Sequence, residues 1–127
     1  MVKKGAFDSS IFVGSTINTP SMLAVEDYID ALNWSKSIGG LNGLMERSNA
    51  NLNVLKKYVS ENDFIDFLAT DESTISNTSI CLSLNGVDGD QIKSMTKLLE
   101  ENDVAYDIGA YRDAPPGLRI WGGATVE

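Results

Sequence analysis

The sequence predicts an α+β fold, with a small, mostly antiparallel sheet of about four strands preceded by two long helices. Apolar residues recur at helical spacing through the first half of the chain. The second half carries short apolar or alternating runs, in the order strand, strand, helix, strand, strand. Because the strands come in adjacent pairs on either side of one helix, an antiparallel sheet is favoured over a doubly wound parallel one.

The first helix is predicted to begin at residues 19 and 20, after a short apolar run at 11–13 that suits a strand or an extended arm. Thr19 is a good N-cap, and Pro20 suits the first helical position, where its missing N–H costs nothing. Gly39 and Gly40 are expected to end the helix. Its body carries apolar and aromatic side chains at helical spacing: Val25, Tyr28, Ile29 and Leu32.

A second helix is predicted over residues 41–60, where Lys56 and Lys57 lie near the C-terminal end and interact favourably with the helix dipole. Its apolar stripe follows the i, i+3, i+4, i+7 pattern: Leu41, Leu44, Met45, Leu52, Leu55 and Val59. Together with the N-terminal arm, the two helices form a predicted first domain over residues 1–62.

The remaining residues, 63–127, are predicted to form a small α+β domain. Its helix begins at Asp88, because Gln91 stands three residues later, as in a capping box. The strands are predicted at 64–68, 78–84, 104–111 and 118–121. A sheet with one helix of its own lacks cover for its apolar face, so we expect the first two helices to cover it or a further helix to follow residue 127.

Composition excludes several kinds of function. The chain has 127 residues, a formal net charge of −8 and no histidine, which removes Ser-His-Asp hydrolysis, Cys-His nucleophiles and His-ligated zinc. The acidic balance argues against nucleic acid as a partner. No apolar run is long enough to span a membrane. The single cysteine, Cys81, and the lack of a visible signal peptide fit the cytoplasm, and no metal site is predicted.

Two places suggest a binding site. Asn18 and Thr19 precede a helix N-terminus, whose free N–H groups suit a phosphate, although a plain N-cap is favoured on spacing alone. Arg119 lies in a strand between two apolar residues and should point to the opposite face. It suits a planar carboxylate, and a structural ion pair with Asp113 or Asp107 is an equal alternative. Arg112 is the other candidate, and strand alternation favours Arg119.

Long runs of the sequence resemble the C-terminal part of the phosphoserine aminotransferase family. The resemblance covers nearly the whole chain, from about Lys4 to Glu127. The most specific run is VAYDIGAYRDAPPGLRIW at 104–121, and shorter ones are TINTPSML at 16–23 and SNTSICL at 76–82.

The resemblance implies a pyridoxal-phosphate (PLP) aminotransferase of class V and fold type I, with this chain in the place of the small domain and its connecting helices. Such an enzyme interconverts 3-phosphohydroxypyruvate plus glutamate with phosphoserine plus 2-oxoglutarate in serine biosynthesis. It works as a cytosolic homodimer with its active sites at the subunit interface. In this reading Asn18 and Thr19 reach the cofactor phosphate of the neighbouring subunit, and Arg119 holds the substrate α-carboxylate.

The resemblance also implies what this chain lacks. The family's cofactor-binding lysine, the aromatic residue that stacks on the cofactor ring and the aspartate facing its nitrogen all lie upstream of the matched part. We therefore expect no catalytic residue among residues 1–127, no PLP bound to the isolated chain and no transaminase activity from it. The domain at 63–127 is expected to be truncated before the family's final helix, which leaves apolar surface open and favours self-association as a dimer or larger.

Two other functions fit the residues. The chain can be a stand-alone α+β module that binds an anionic metabolite through Arg119 and the helix end at Asn18. It can also be a structural dimerisation module whose helices pair with another chain. Calorimetry with glutamate, phosphoserine and PLP would distinguish the first from an inert fragment, and the second predicts that ligands do not change thermal stability.

Overall fold

The computed structural model describes residues 2–126, so Met1 and Glu127, the outer ends of the two predicted domains, lie outside the described residues. The chain divides into two compact units between Ile38 and Gly39, whereas the boundary predicted from the sequence lies at 62/63. The difference arises because the second helix shares its apolar stripe with the sheet core.

The first unit begins with a hairpin of β1 (Val2–Lys3) and β2 (Ala6–Phe7). A 3₁₀ helix follows at Ser9–Val13, so the strand or arm predicted at 11–13 is wrong. Helix α1 spans Met22–Ser37.

The cap of α1 also differs from the prediction. The Ser21 hydroxyl, and not that of Thr19, accepts a hydrogen bond from the Ala24 N–H at 3.4 Å. The helix therefore begins at Met22, two residues later than Pro20 suggested.

Within residues 39–126, the second unit contains two α-helices, a short 3₁₀ helix at Glu72–Thr74 and a three-stranded antiparallel sheet. Its elements are α2 (Gly40–Ser60), β3 (Ile65–Phe67), β4 (Ser79–Leu84), α3 (Gly89–Glu101) and β5 (Leu118–Trp121). The strand order is β3-β4-β5, with Ile80 opposite Ile120 and Cys81 opposite Arg119. The α+β class and the antiparallel sheet are confirmed. No helix within residues 2–126 is both long and apolar enough to cross a membrane.

The predicted strand at 104–111 is not formed. Within the described chain, this segment contributes one isolated bridge, Gly109 to Leu118, and a hydrogen bond from the Arg119 N–H to the Ile108 carbonyl at 2.8 Å. Asp103 and Asp107 have φ angles of +56° and +49°. Left-handed residues interrupt an extended run, so the segment becomes a looped connection that returns beside β5.

The core lies between one face of the sheet and α2. Ile80 and Leu82 in the middle strand are fully buried, and Leu52 of α2 packs with them and with Ile65. Leu118 and Ile120 of β5 lie against the same cluster. This face of the sheet is therefore apolar, and the alternating residues of β4 and β5 point to the other face.

Close backbone contacts fix β5 in place. A Cβ at Gly117 would overlap the Leu82 carbonyl oxygen, and one at Gly122 would stand 2.8 Å from Ile80 Cδ1. Just after the strand, Asn51 Nδ2 of α2 donates to the Gly122 and Gly123 carbonyls at 3.1 and 3.2 Å. The strand that carries Arg119 is thus held at both ends, which limits how far that side chain can move.

Candidate functional site

Arg119 points away from the core, as strand alternation predicts. Its neighbours Leu118 and Ile120 pack on the apolar cluster, so Arg119 lies on the opposite face, directly across from Cys81. Its side chain is 23% exposed. A guanidinium that is sheltered but still reachable suits recognition of an anion.

The Arg119 guanidinium has two neighbours in the second unit. Its Nη2 donates to the Asp107 carboxylate at 2.9 Å and to the Asp107 carbonyl at 3.2 Å. Its Cζ stands 4.4 Å from the centre of the Tyr111 ring, a cation–π distance. Of the two ion-pair partners that the sequence left open, the structure shows Asp107.

These groups border a pocket of about 300 Å³ on the polar side of the sheet. Its lining combines one guanidinium and its paired carboxylate with hydroxyl, aromatic and apolar side chains: Ser79, Tyr106, Asp107, Ile108, Tyr111, Arg119 and Trp121. Ser79 and Trp121 are opposite each other on β4 and β5, while the tyrosines come from the connection after α3. Such a lining can hold a small anion that carries further polar groups.

The pKa values of the two tyrosines of the pocket shift in opposite directions. A hydrogen bond with the Ser79 hydroxyl, at 3.0 Å, and the nearby Arg119 lower the pKa of Tyr111 from its usual 10.0. A hydrogen bond to the Asp103 carboxylate raises the pKa of Tyr106, since that carboxylate accepts the phenolic proton. Ser79 and Arg119 thus stabilise the ionised form of Tyr111, whereas Asp103 stabilises the protonated form of Tyr106.

Arg112, the other arginine candidate, lines a different pocket of about 350 Å³, between α3 and the 109–117 segment. Lys93 and Thr96 of α3 border it, together with Ile92 and Pro116. The structure thus places the two arginines in separate pockets. Of these two pockets, the Arg119 pocket is the one bordered by side chains of both β4 and β5.

Asn18 and Thr19 belong to the first unit. Both are exposed in the turn before α1, where the Thr16 hydroxyl donates to the Asn18 carbonyl at 2.8 Å. Thr19 is not the N-cap of α1, so the plain-cap alternative is wrong. Within residues 2–126 the structure gives neither side chain a hydrogen bond, which leaves their polar atoms available to a ligand.

Most residues of the Arg119 pocket are not predicted by the sequence pattern. Strand alternation predicts Arg119, but not Ser79, Tyr106, Tyr111 or Trp121. The Ser79 and Trp121 positions follow from the strand register, because both lie on the Arg119 face. The tyrosines depend on how the 104–111 segment loops back, and no local pattern carries that information.

No protein-family model matches the chain. Two curated relatives match all of it. A phosphoserine aminotransferase of Methanosarcina mazei is 50% identical over 127 residues, and a phosphoserine aminotransferase of Methanosarcina barkeri is 51% identical over 127 residues. The chain spans 34% of the length of each relative. The resemblance seen in the sequence is confirmed along the whole chain.

Proposed function

We propose that the chain is the C-terminal part of a phosphoserine aminotransferase and that it binds the substrate. The proposal starts from the similarity of the chain to about a third of such an enzyme. The observation that carries the proposal is Arg119, 23% exposed and stacked on Tyr111 in a polar pocket. The reaction transfers an amino group between phosphoserine and 2-oxoglutarate. Both substrates, and both products, carry an α-carboxylate that an arginine can hold.

Arg119 suits this role for a physical reason. A guanidinium can meet a carboxylate with two parallel N–H···O bonds, which fixes the orientation as well as the position of the ligand. The Tyr111 ring at 4.4 Å limits its rotation. The neighbouring Ser79 and Tyr111 hydroxyls can bond to a second polar group of the same ligand.

Asn18 and Thr19 are proposed to contribute donors to the phosphate of the cofactor. Their exposed polar side chains have the right chemistry, and they stand ahead of the α1 N-terminus. Two such donors form only part of a phosphate site. PLP, when bound, supplies the electron sink for amino-group transfer, and the residues that anchor and stack on it are proposed to lie in the two thirds of the enzyme outside the match.

The proposal also covers assembly and location. In the resemblance the enzyme is a cytosolic homodimer, and apolar side chains exposed on α1 support self-association of this chain. Its partners are then a second copy and small anionic amino and keto acids.

The test combines the chain alone with a chimera. The purified chain, given PLP, phosphoserine and 2-oxoglutarate, is expected to show no conversion above background. A chimera that carries this chain in place of the aligned third of the M. mazei enzyme is expected to be active. Within it, Arg119→Lys should lower kcat/KM by roughly 10- to 100-fold, the cost of losing charge-assisted hydrogen bonds.

Arg112→Lys is the matched control, because it makes the same change in the neighbouring pocket. It should leave kcat/KM within about twofold, the range of surface substitutions. Activity of the isolated chain, or equal losses from the two variants, would contradict the proposal.

A stand-alone binding module remains a second candidate, because the whole Arg119 pocket is built from residues of the second unit. That function requires no other polypeptide. Calorimetric binding of glutamate or phosphoserine to the purified chain, abolished by Arg119→Lys, together with an inactive chimera, would favour it.

A further inference from the structure

The Asp107–Arg119 contact is centred on one nitrogen. Both of its acceptors, the Asp107 carboxylate and the Asp107 carbonyl, bond to Arg119 Nη2, at 2.9 and 3.2 Å. Nη2 carries two hydrogens, so these two acceptors match its donor capacity. The Tyr111 hydroxyl is a further hydrogen-bonding neighbour of the guanidinium, while both Asp107 acceptors hold Nη2.

That nitrogen decides how a ligand can bind. A guanidinium offers a carboxylate two edges with paired donors, Nε with Nη2 and Nη1 with Nη2, and Nη2 belongs to both. While Asp107 holds Nη2, an incoming carboxylate can reach only single donors. The two-bond geometry becomes available when the Asp107 side chain leaves.

We propose that Asp107 is an internal competitor for the carboxylate site on Arg119, and that a ligand must displace its side chain to bind with two hydrogen bonds. This inference rests on the proposed role of Arg119. It makes Asp107 a residue that sets the affinity of the site, because the cost of displacing its side chain is subtracted from the binding free energy of every carboxylate ligand that binds with two hydrogen bonds.

The surroundings of Asp107 suit such an exchange. Its side chain is 93% exposed, so it can turn into water without losing buried contacts. The Ile108 carbonyl next to it is fixed by the Arg119 N–H at 2.8 Å, so the backbone need not move. After displacement, the Asp107 carbonyl and the Tyr111 ring still hold the guanidinium in place.

The test uses the chain itself and two variants that keep the backbone. Asp107 has a φ of +49°, which asparagine and glycine tolerate better than other residues. Asp107→Asn removes the charge, and Asp107→Gly removes the side chain. Asp113→Asn, on the same loop, is the control, because it makes the same change in net charge.

Glutamate is titrated at constant ionic strength against chloride, and the NMR signal of the Arg119 Nε–H reports binding. The signal is assigned by its loss in Arg119→Lys. We expect both Asp107 variants to bind glutamate roughly two- to fivefold more tightly than the parent chain, the range of a half-exposed ion pair. Asp113→Asn should leave the dissociation constant unchanged within error.

The outcomes separate this inference from the proposed function. Equal affinity in the parent and both Asp107 variants, or an equal gain in Asp113→Asn, overturns the competitor role and leaves Arg119 as a carboxylate site. No response of Arg119 to glutamate in any variant overturns the competitor role, whereas the proposed function is decided separately by kcat/KM of the chimera and its Arg119→Lys variant. Tighter binding in Asp107→Asn and Asp107→Gly alone supports the inference.

Discussion

Tyr106 and Tyr111 border the same pocket, yet their hydroxyls face opposite electrostatic surroundings. Tyr111 bonds with the Ser79 hydroxyl beside the Arg119 cation, and Tyr106 donates to the Asp103 carboxylate. A phenolate can only accept hydrogen bonds, so Ser79 and Arg119 stabilise the ionised form of Tyr111. Asp103 instead stabilises the protonated form of Tyr106.

The two tyrosines should therefore respond in opposite directions to removal of their partners. In Ser79→Ala the pKa of Tyr111 is expected to rise toward its usual value, because the phenolate loses a donor. In Asp103→Asn the pKa of Tyr106 is expected to fall, because the proton loses its charged acceptor. The ring ¹³Cζ shifts, followed by NMR between pH 8 and 12, measure both. Each variant serves as control for the other tyrosine, and an unmoved Tyr111 in Ser79→Ala would contradict the assignment of Ser79.

For single residues, the sequence predicted those features that a local rule determines. Strand alternation placed Arg119 opposite Leu118 and Ile120, and the structure agrees. The choice between Asp107 and Asp113 as its partner needed the path of the loop. That path depends on the left-handed conformation of Asp103 and Asp107. Aspartate tolerates this conformation, but an aspartate in a sequence does not predict it.

At the scale of elements, a local capping signal was reliable for α3 but not for α1, where Ser21 and not Thr19 is the N-cap. The capping box of α3 forms as predicted: Asp88 Oδ1 accepts from the Gln91 N–H at 2.8 Å, and Gln91 Oε1 accepts from the Asp88 N–H at 2.9 Å. The strand at 104–111 failed because the left-handed residues Asp103 and Asp107 interrupt the extended run. The segment has the apolar residues of a strand, but within the described chain its backbone conformation limits its pairing with β5 to the bridge between Gly109 and Leu118.

The cap gives a prediction for α3. Asp88→Ala removes the acceptor for the N–H groups of Asp90 and Gln91, and it should lower the free energy of unfolding by about 0.5–2 kcal/mol. Asp88→Asn keeps an acceptor oxygen at the same place and should lose much less. Urea unfolding followed by circular dichroism measures the difference. Equal destabilisation by the two variants would show that the charge of Asp88, and not its capping bond, stabilises the helix.

In the whole molecule, α1 is a helix whose apolar sequence pattern predicts a buried face that the structure does not show. Its apolar stripe, spaced i, i+3, i+7, i+10, has the pattern of a buried helix face, yet none of its residues is buried. The stripe consists of Met22, Val25, Ile29 and Leu32, which are 67%, 37%, 44% and 44% exposed. Such a continuous patch is typical of a surface that pairs with another chain.

The α1 stripe is therefore where the proposed self-association should occur. Light scattering at moderate protein concentration is expected to give the mass of a dimer or larger. Ile29→Gln, in the stripe, should raise the dissociation constant at least about tenfold, because burying an isoleucine contributes roughly 1.5–3 kcal/mol. Leu23→Gln removes another exposed apolar side chain of the same helix, 73% exposed, but at an angle of about 100° from Met22, and should change little. A monomeric parent chain would contradict self-association. A larger effect from Leu23→Gln than from Ile29→Gln would contradict the stripe as its surface.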